Sequence, residues 1–322
     1  AGLLILAAVV LFTTKKPPAL SSSQEPDVAA QARSIVEEGW ALETQGKLDE
    51  AFELYNKALT VDPRCAVAYK HRGTVYTRKG ALEKAIAEFD KAIEYDPSHA
   101  SSYYNRGNLY HSVSNYDHAI QDFTKALELN PKYTNPMLNR AAAYIQKGEF
   151  EKALGDYSQY LELIPNDKKV SQARGLLLVQ LRRYDEALVD LSKVLELEPD
   201  NAQVLQARAR VYTLKKEYDP AIADLTRVIE FEPNQATAYN TRGMAYLEKG
   251  DVDGALADFN KALELNPKYW NVFFHRARAL LENEKYDQAW EDVNKFREMG
   301  GRGEDVLEFI AKLEKRSGRK DR

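Results

Sequence analysis

Seven prolines recur at a constant interval of 34 residues along this chain of 322 residues. They are Pro63, Pro97, Pro131, Pro165, Pro199, Pro233 and Pro267. A second register of the same interval consists of Ala51, Ala85, Ala119, Ala153, Ala187, Ala221, Ala255 and Ala289. A third consists of Gly39, Gly73, Gly107, Ala141, Gly175, Ala209, Gly243 and Ala277. A constant period of roughly 20–50 residues predicts stacked supersecondary units, each too small to bury its own core.

Each repeat contains two helical segments, as the third repeat (residues 100–133) illustrates. Its first segment, ASSYYNRGNLYHSV, is separated by the turn SNYD from the second segment, HAIQDFTKALELN. Pro131 ends the second helix because proline cannot continue the backbone hydrogen-bond ladder. Gly107 and Ala119 are small and lie opposite each other, so the two helices can approach closely. Aromatic residues around that contact fill the interior. The pattern therefore predicts an all-α fold.

The pattern resembles the tetratricopeptide repeat, a helix–turn–helix unit of 34 residues with small residues at the eighth and twentieth positions and proline at the thirty-second. Eight such repeats cover residues 32–303. The resemblance implies a right-handed superhelical solenoid of eight repeats. The last segment, 304–322, has Val306, Phe309, Ile310 and Leu313 on one helical face. It is expected to form a capping helix followed by a basic tail, because a solenoid exposes an apolar side at its end.

Charged residues also follow the repeat. Repeats 2–8 have arginine at the seventh position: Arg72, Arg106, Arg140, Arg174, Arg208, Arg242 and Arg276. They have an acidic residue at the twenty-third: Glu88, Asp122, Asp156, Asp190, Asp224, Asp258 and Asp292. The two positions lie at the same height of a helical hairpin, and a partly buried guanidinium requires a carboxylate partner. We expect a structural charge ladder of pairs within each repeat. The alternative is that the seven arginines bind an anionic ligand.

The first residues differ from the repeats. Residues 1–14 begin with the uncharged apolar run AGLLILAAVVLF, which is interpreted as the remnant of a transmembrane or signal segment. Residues 15–31 are rich in proline and serine and are interpreted as a linker. Lys15 and Lys16 favour a cytoplasmic location for the repeats of a membrane-anchored protein, with the periplasm or another side left open.

Nothing in the sequence predicts catalysis. It contains no HExxH motif, no nucleophile elbow and no Gly-rich phosphate loop. The five histidines lack an obvious acidic co-ligand, and Cys65 is the single cysteine. The net charge of −4 disfavours binding to nucleic acid. We therefore expect no enzymatic activity, no cofactor and no metal site.

The resemblance implies a binding surface instead. In tetratricopeptide repeats the second, fifth, sixth, ninth, twelfth and thirteenth positions line a concave groove. The candidate partner-binding residues in that groove are Lys70, His71, Tyr104, Asn105, Asn108, Leu138, Asn139, Leu176, Arg210 and Arg278. Asparagine can hold an extended peptide backbone because its amide both donates and accepts. The apolar members can bury side chains of a partner.

These features predict a membrane-tethered scaffold that binds a protein or peptide segment in its groove. The alternative is a permanent accessory or assembly subunit of a larger membrane complex, which would use convex or end surfaces. Some tetratricopeptide repeats clamp the C-terminal carboxylate of a chaperone. Of that clamp only Lys70 and Asn105 are present here, which disfavours a chaperone-tail partner. The identity of the partner stays open.

Overall fold

The computed structural model describes residues 27–319, which form helices and connecting turns without a β-strand. The seventeen helices of this part of the chain are α1 Val28–Thr44, α2 Leu48–Val61, α3 Ala66–Arg78, α4 Leu82–Tyr95, α5 Ala100–Ser112, α6 Tyr116–Leu129, α7 Thr134–Gln146, α8 Phe150–Leu163, α9 Lys168–Gln180, α10 Tyr184–Leu197, α11 Ala202–Leu214, α12 Tyr218–Phe231, α13 Ala236–Lys249, α14 Val252–Leu265, α15 Trp270–Glu282, α16 Tyr286–Glu298 and α17 Glu304–Ser317. The all-α fold class is confirmed, because α1–α16 pair in sequence order as eight hairpins.

The first helix begins earlier than the sequence analysis placed it. α1 starts at Val28, and the side chain of Asp27 caps it by accepting a hydrogen bond from the backbone N–H of Ala30 at 3.1 Å. Residues 28–31, assigned above to the linker, therefore belong to the helix. The apolar run within residues 1–14 and most of the linker lie outside the described residues.

Every hairpin turns at its fifteenth residue, which adopts a left-handed backbone conformation. Glycine supplies it in four repeats, for example Gly46 with φ of 80°. In the other four repeats a residue with a side chain occupies it: Ser114, Arg182, Lys216 and Glu284, with φ between 56° and 62°. Because the turns share one conformation, each pair of helices is joined in the same way whatever residue stands there.

The described part of the chain divides into two compact sections, residues 27–133 and 134–319. In the first, helices α1–α6 pack around the small residues of the repeat. A Cβ atom at Gly107 would lie 2.8 Å from the ring of Phe123, which explains why glycine stands opposite the large ring. Tyr55, Phe89 and Phe123 are fully buried at equivalent positions.

The second section contains helices α7–α17, and its largest apolar cluster lies around α14–α17. α17 buries Val306, Phe309, Ile310 and Leu313, the four residues expected on the apolar face of a capping helix. It packs against α15 and α16. The hairpin of the eighth repeat is thus covered by α17, which positions the residues considered below.

Candidate functional site

The arginines of the charge ladder lie against the second helix of their own repeat. Nε and Nη2 of Arg72 donate to the two carboxylate oxygens of Glu88 at 2.7 and 2.9 Å. The other six arginines bind their aspartates in the same bidentate manner, at 2.6–3.0 Å. The six aspartate side chains are only 4–7% exposed. All seven guanidinium groups are therefore bound to carboxylates inside their own hairpins. This arrangement argues against the alternative that the seven arginines bind an anionic ligand.

The remaining guanidinium nitrogen, Nη1, makes a contact that the sequence analysis missed. In six repeats it donates to a polar side chain at the twenty-fifth position of the preceding repeat, at 2.6–3.1 Å. The acceptors are Asn56, Asp90, Ser158, Ser192, Thr226 and Asn260. Each of these arginines thus joins two neighbouring repeats. The polar residue at this position was a usable sequence signal.

In the first section, the exposed sides of α1, α3 and α5 form what we call the N-terminal groove surface. It includes a cavity of about 220 Å³ lined by Arg33, Val36, Glu37, Trp40, Val67 and His71. Trp40 is 54% exposed although it is a large aromatic residue. Of this set only His71 is among the residues predicted from sequence, because those groove positions were taken from repeat 2 onwards. The same positions of repeat 1 would have identified Trp40.

The buried carboxylate of Glu43 holds two aromatic side chains in place beside this cavity. Glu43 is 5% exposed and accepts a hydrogen bond from the hydroxyl of Tyr55 at 2.7 Å. Nδ1 of His71 lies 3.2 Å from the same carboxylate, and the imidazole stacks on the ring of Tyr55. Burial raises the pKa of Glu43, but hydrogen bonds with His71 and Tyr55 outweigh burial and hold the pKa below its usual value. His71 is thereby fixed in place.

Other candidate groove residues of this section lie on α3 and α5. Lys70 is partly buried, and that burial lowers the pKa of its ammonium group. Within residues 27–319 no carboxylate forms an ion pair with Lys70. Tyr104 packs against Tyr133 with ring centroids 5.2 Å apart, while Asn105 and Asn108 are half-buried on the same helix as Tyr104. The N-terminal groove surface therefore combines an exposed indole, an ammonium group and amides.

The candidate residues of the second section are spread over four first helices. Leu138 and Asn139 are half-buried on α7, as is Leu176 on α9. Arg210 is exposed on α11, whereas Nη2 of Arg278 on α15 donates to Glu248 at 2.8 Å. Arg278 also lines two cavities at the end of the chain, which are described below.

His275, in the second section, is held in its neutral form. Nδ1 of His275 lies 2.8 Å from the side-chain oxygen of Asn240. Burial lowers the pKa of His275 to about 4, with the charge of Arg278 acting in the same direction. At neutral pH the imidazole is therefore uncharged and donates one hydrogen bond to the amide oxygen.

Two further observations bear on the expectations from sequence. Residues 27–319 contain no group of three or more His, Cys, Asp or Glu side chains that could hold a metal ion. None of the helices in the same part of the chain is both long and apolar enough to cross a bilayer. The apolar run of residues 1–14 precedes this part.

Comparison with protein-family models gives matches along the repeats. Tetratricopeptide repeat models match residues 32–65, 100–133, 141–212, 202–235, 236–269 and 259–291. A model described as TPR repeat matches residues 73–114. The matches to 32–65, 100–133, 202–235 and 236–269 coincide with the repeat boundaries deduced from the proline register. No curated protein matches the chain.

Solved structures give the same result. YrrB, whose structure is described as that of a TPR protein with an unusual peptide-binding site, is 27% identical with a TM-score of 0.52. The alignment covers 57% of this chain and 95% of YrrB. PilF of Pseudomonas aeruginosa is 22% identical with a TM-score of 0.51, over 64% of this chain and 95% of PilF. The likeness to PilF concerns the fold.

Proposed function

Because the chain belongs to the tetratricopeptide repeat family, we propose that it is a protein-binding scaffold that holds an extended segment of a partner protein against its first helices. Binding would be reversible docking, without a chemical step. The candidate residues are those of the groove positions, extended at the N-terminal end by Trp40 and its neighbours.

The observation that carries the proposal is the N-terminal groove surface. Trp40 exposes 54% of its surface beside a cavity of about 220 Å³, and the partly buried Lys70 has no ion-pair partner within residues 27–319. An exposed indole and a partly buried ammonium group without an ion pair both cost free energy in the free protein. A partner segment with an apolar side chain and a nearby acidic or carbonyl oxygen would recover that free energy. Tryptophan is also among the residues that dominate binding energy at interfaces.

The likeness to YrrB supports the same proposal. YrrB is described as having an unusual peptide-binding site. This chain is 27% identical to YrrB in an alignment that covers 95% of YrrB. An extended peptide fits a surface of stacked first helices because the amides of residues such as Asn105 can pair with a peptide backbone irrespective of its sequence.

We further propose that the N-terminal segment confines this binding to a membrane surface, with the repeats on the cytoplasmic side. The support is the uncharged apolar run within residues 1–14 and the two lysines that follow it. Deleting residues 1–14 should move the protein from the membrane fraction to the soluble fraction. Unchanged sedimentation with membranes would refute the tether and leave the scaffold proposal standing.

The scaffold proposal is tested by photo-crosslinking in intact cells. We would replace Trp40 with p-benzoylphenylalanine and, as a matched apolar control on a second helix, replace Val189, which is 68% exposed on α10. A specific crosslinked partner is expected from position 40 and not from position 189. Lys70→Ala should weaken that crosslink several-fold, because it removes the ammonium group that is expected to pair with the partner. Lys57→Ala, an exposed lysine on α2, should leave it unchanged.

The opposite pattern would overturn the proposal. A partner captured at position 189 and not at position 40 would indicate the alternative, a permanent accessory subunit that uses its second-helix face.

A further inference from the structure

The capping helix α17 forms one wall of two adjoining cavities. The larger, of about 590 Å³, is lined by Phe274, Arg278, Asp305, Glu308, Phe309 and Lys312. The smaller, of about 250 Å³, is lined by Leu247, Glu248, Arg278, Leu281, Glu282, Phe309 and Lys312. The volume of the larger cavity falls in the range of about 300–1,000 Å³ that is typical of ligand sites.

α17 places side chains at these cavities that its role as a cap does not require. A cap has to cover the apolar end of the last hairpin, and Val306, Ile310 and Leu313 do so. Asp305, Glu308 and Lys312 lie three or four residues apart and so share a different stripe of the helix, which faces the cavity. Phe309 contributes to both stripes. Asp305 and Glu308 of this second stripe are exposed and take no part in covering the hairpin.

The floor of the larger cavity is aromatic. The rings of Phe274 and Phe309 meet edge to face with centroids 5.4 Å apart, and Phe274 also contacts Phe296 at 5.2 Å. Phe309 is only 8% exposed, so the floor is held rigidly by the core. Such a floor can bury a bulky apolar side chain, or lie against the stem of a long basic one.

The charges at the cavity are only partly compensated. Arg278 donates to Glu248 at 2.8 Å, and Glu282 accepts hydrogen bonds from Lys312 at 2.8 Å and from Arg316 at 3.0 Å. No cation of residues 27–319 forms an ion pair with Asp305 or Glu308. The four carboxylates Glu248, Glu282, Asp305 and Glu308 outnumber the three cations Arg278, Lys312 and Arg316, and the two carboxylates without an ion pair both lie on α17. The cavity therefore favours a cationic ligand.

We propose that these cavities are a subsite for a partner segment in which a lysine or arginine stands beside a bulky apolar residue. The apolar side chain lies on Phe274 and Phe309, and the basic group pairs with Asp305 and Glu308. The subsite rests on the proposed scaffold function and adds a chemical preference to it. It also gives α17 a role in recognition, in addition to its role as a cap.

The experiment is a selection of random twelve-residue peptides displayed on phage against the immobilised full-length chain. Three proteins are compared: the wild type, the double variant Asp305→Lys with Glu308→Lys, and the control Glu196→Lys with Glu230→Lys. The control makes the same change of charge at exposed residues of the second helices α10 and α12. All four positions are exposed, so both variants should fold, which circular dichroism would verify.

We expect the wild type and the control to enrich peptides that carry Lys or Arg next to a bulky apolar residue. The Asp305→Lys, Glu308→Lys variant should lose that enrichment. A synthetic peptide of the enriched sequence should bind this variant about tenfold more weakly than the control, because two ion pairs at a partly exposed site are lost. Phe274→Ala should weaken the binding of the same peptide whether or not the peptide carries its basic residue.

Two results would overturn the subsite. If the variant and the wild type enrich the same basic peptides, Asp305 and Glu308 do not bind the basic group of the peptide. The scaffold proposal would survive that result. If the wild type enriches peptides that are acidic, or apolar without a basic residue, the assigned chemistry is wrong. Enrichment of no peptide at all, together with no crosslink at position 40, would refute both proposals.

Discussion

The face of the first helices that packs inside the hairpins uses charge in the opposite way to their groove side and to the capping helix. On the face that packs against the second helices, seven arginines each make a bidentate pair with a carboxylate, and in six of the pairs that carboxylate is almost fully buried. On the groove side, Lys70 has no ion pair within the described residues, and the same holds for Asp305 and Glu308 on the capping helix.

The difference separates charges that stabilise the fold from charges available to a partner. A buried ion pair is required once it is present, because removing one member leaves an uncompensated charge. A charge without a partner can be changed with little effect on folding. The following predictions test this division, and they are ordered from the largest expected effect to the smallest.

The strongest effect should come from breaking one pair of the ladder. Asp190→Ala leaves the guanidinium of Arg174 without the two acceptors that it now contacts at 2.7 Å. We expect a loss of about 3 kcal/mol in the free energy of unfolding, at the low end for buried pairs because Arg174 is 25% exposed. Urea denaturation followed by circular dichroism would measure it.

The double variant Arg174→Met with Asp190→Leu is the control for that measurement. It removes both charges and keeps apolar volume, so it should be clearly more stable than Asp190→Ala. A loss below about 1 kcal/mol for Asp190→Ala would show that the ladder contributes no more than exposed ion pairs do.

A smaller, pH-dependent effect is expected from His275. Its pKa is about 4 in the folded protein, against about 6.5 for an unperturbed histidine. The unfolded state therefore binds more protons between these values, and the stabilisation present above pH 6.5 is lost as the pH falls towards 4. From pH 7 to pH 5 we expect a loss of about 2 kcal/mol from this residue.

Urea denaturation at both pH values would test this expectation. His275→Gln should show a flatter pH dependence than the wild type, because the titrating group is gone. His118→Gln, at an exposed position of α6, should retain the wild-type dependence. Equal slopes for His275→Gln and the wild type would contradict the prediction.

The smallest effect is expected from the exposed ion pairs between neighbouring repeats. Nζ of Lys215 lies 2.7 Å from a carboxylate oxygen of Asp185, a side chain that is 88% exposed. Lys215→Ala should cost less than about 1 kcal/mol, because solvent screens the pair and the wild type loses side-chain entropy in holding the lysine in place. The same denaturation assay would measure it. A loss as large as that of Asp190→Ala would remove the distinction between buried and exposed pairs.

Much of the fold followed from the period alone. Proline at the thirty-second position, small residues at the eighth and twentieth, and complementary charges at the seventh and twenty-third fixed the helices and the hairpin contact between them. These features are local, because both members of each pair lie within one repeat. Local complementarity can be read from spacing, so the pairing of Arg174 with Asp190 was foreseeable.

The candidate site was foreseen less completely. The groove positions carried over from the family resemblance gave Lys70, His71 and Asn105, but the rule was not applied to repeat 1, and Trp40 was missed. The cavities beside α17 could not have been found in this way. They require the distance between the capping helix and α15, and no repeat position describes a helix outside the repeats.

The sequence by itself therefore determined the number of repeats, the helices and the charges that pair within them. The tertiary structure decided which polar groups also join neighbouring repeats, as Nη1 of Arg174 does with Ser158, and which charges are left without a partner. Periodicity relates equivalent residues 34 positions apart but does not specify the angle and distance at which two repeats pack. Those quantities depend on the side chains at the contact, and they alone determine which charges remain exposed for a partner.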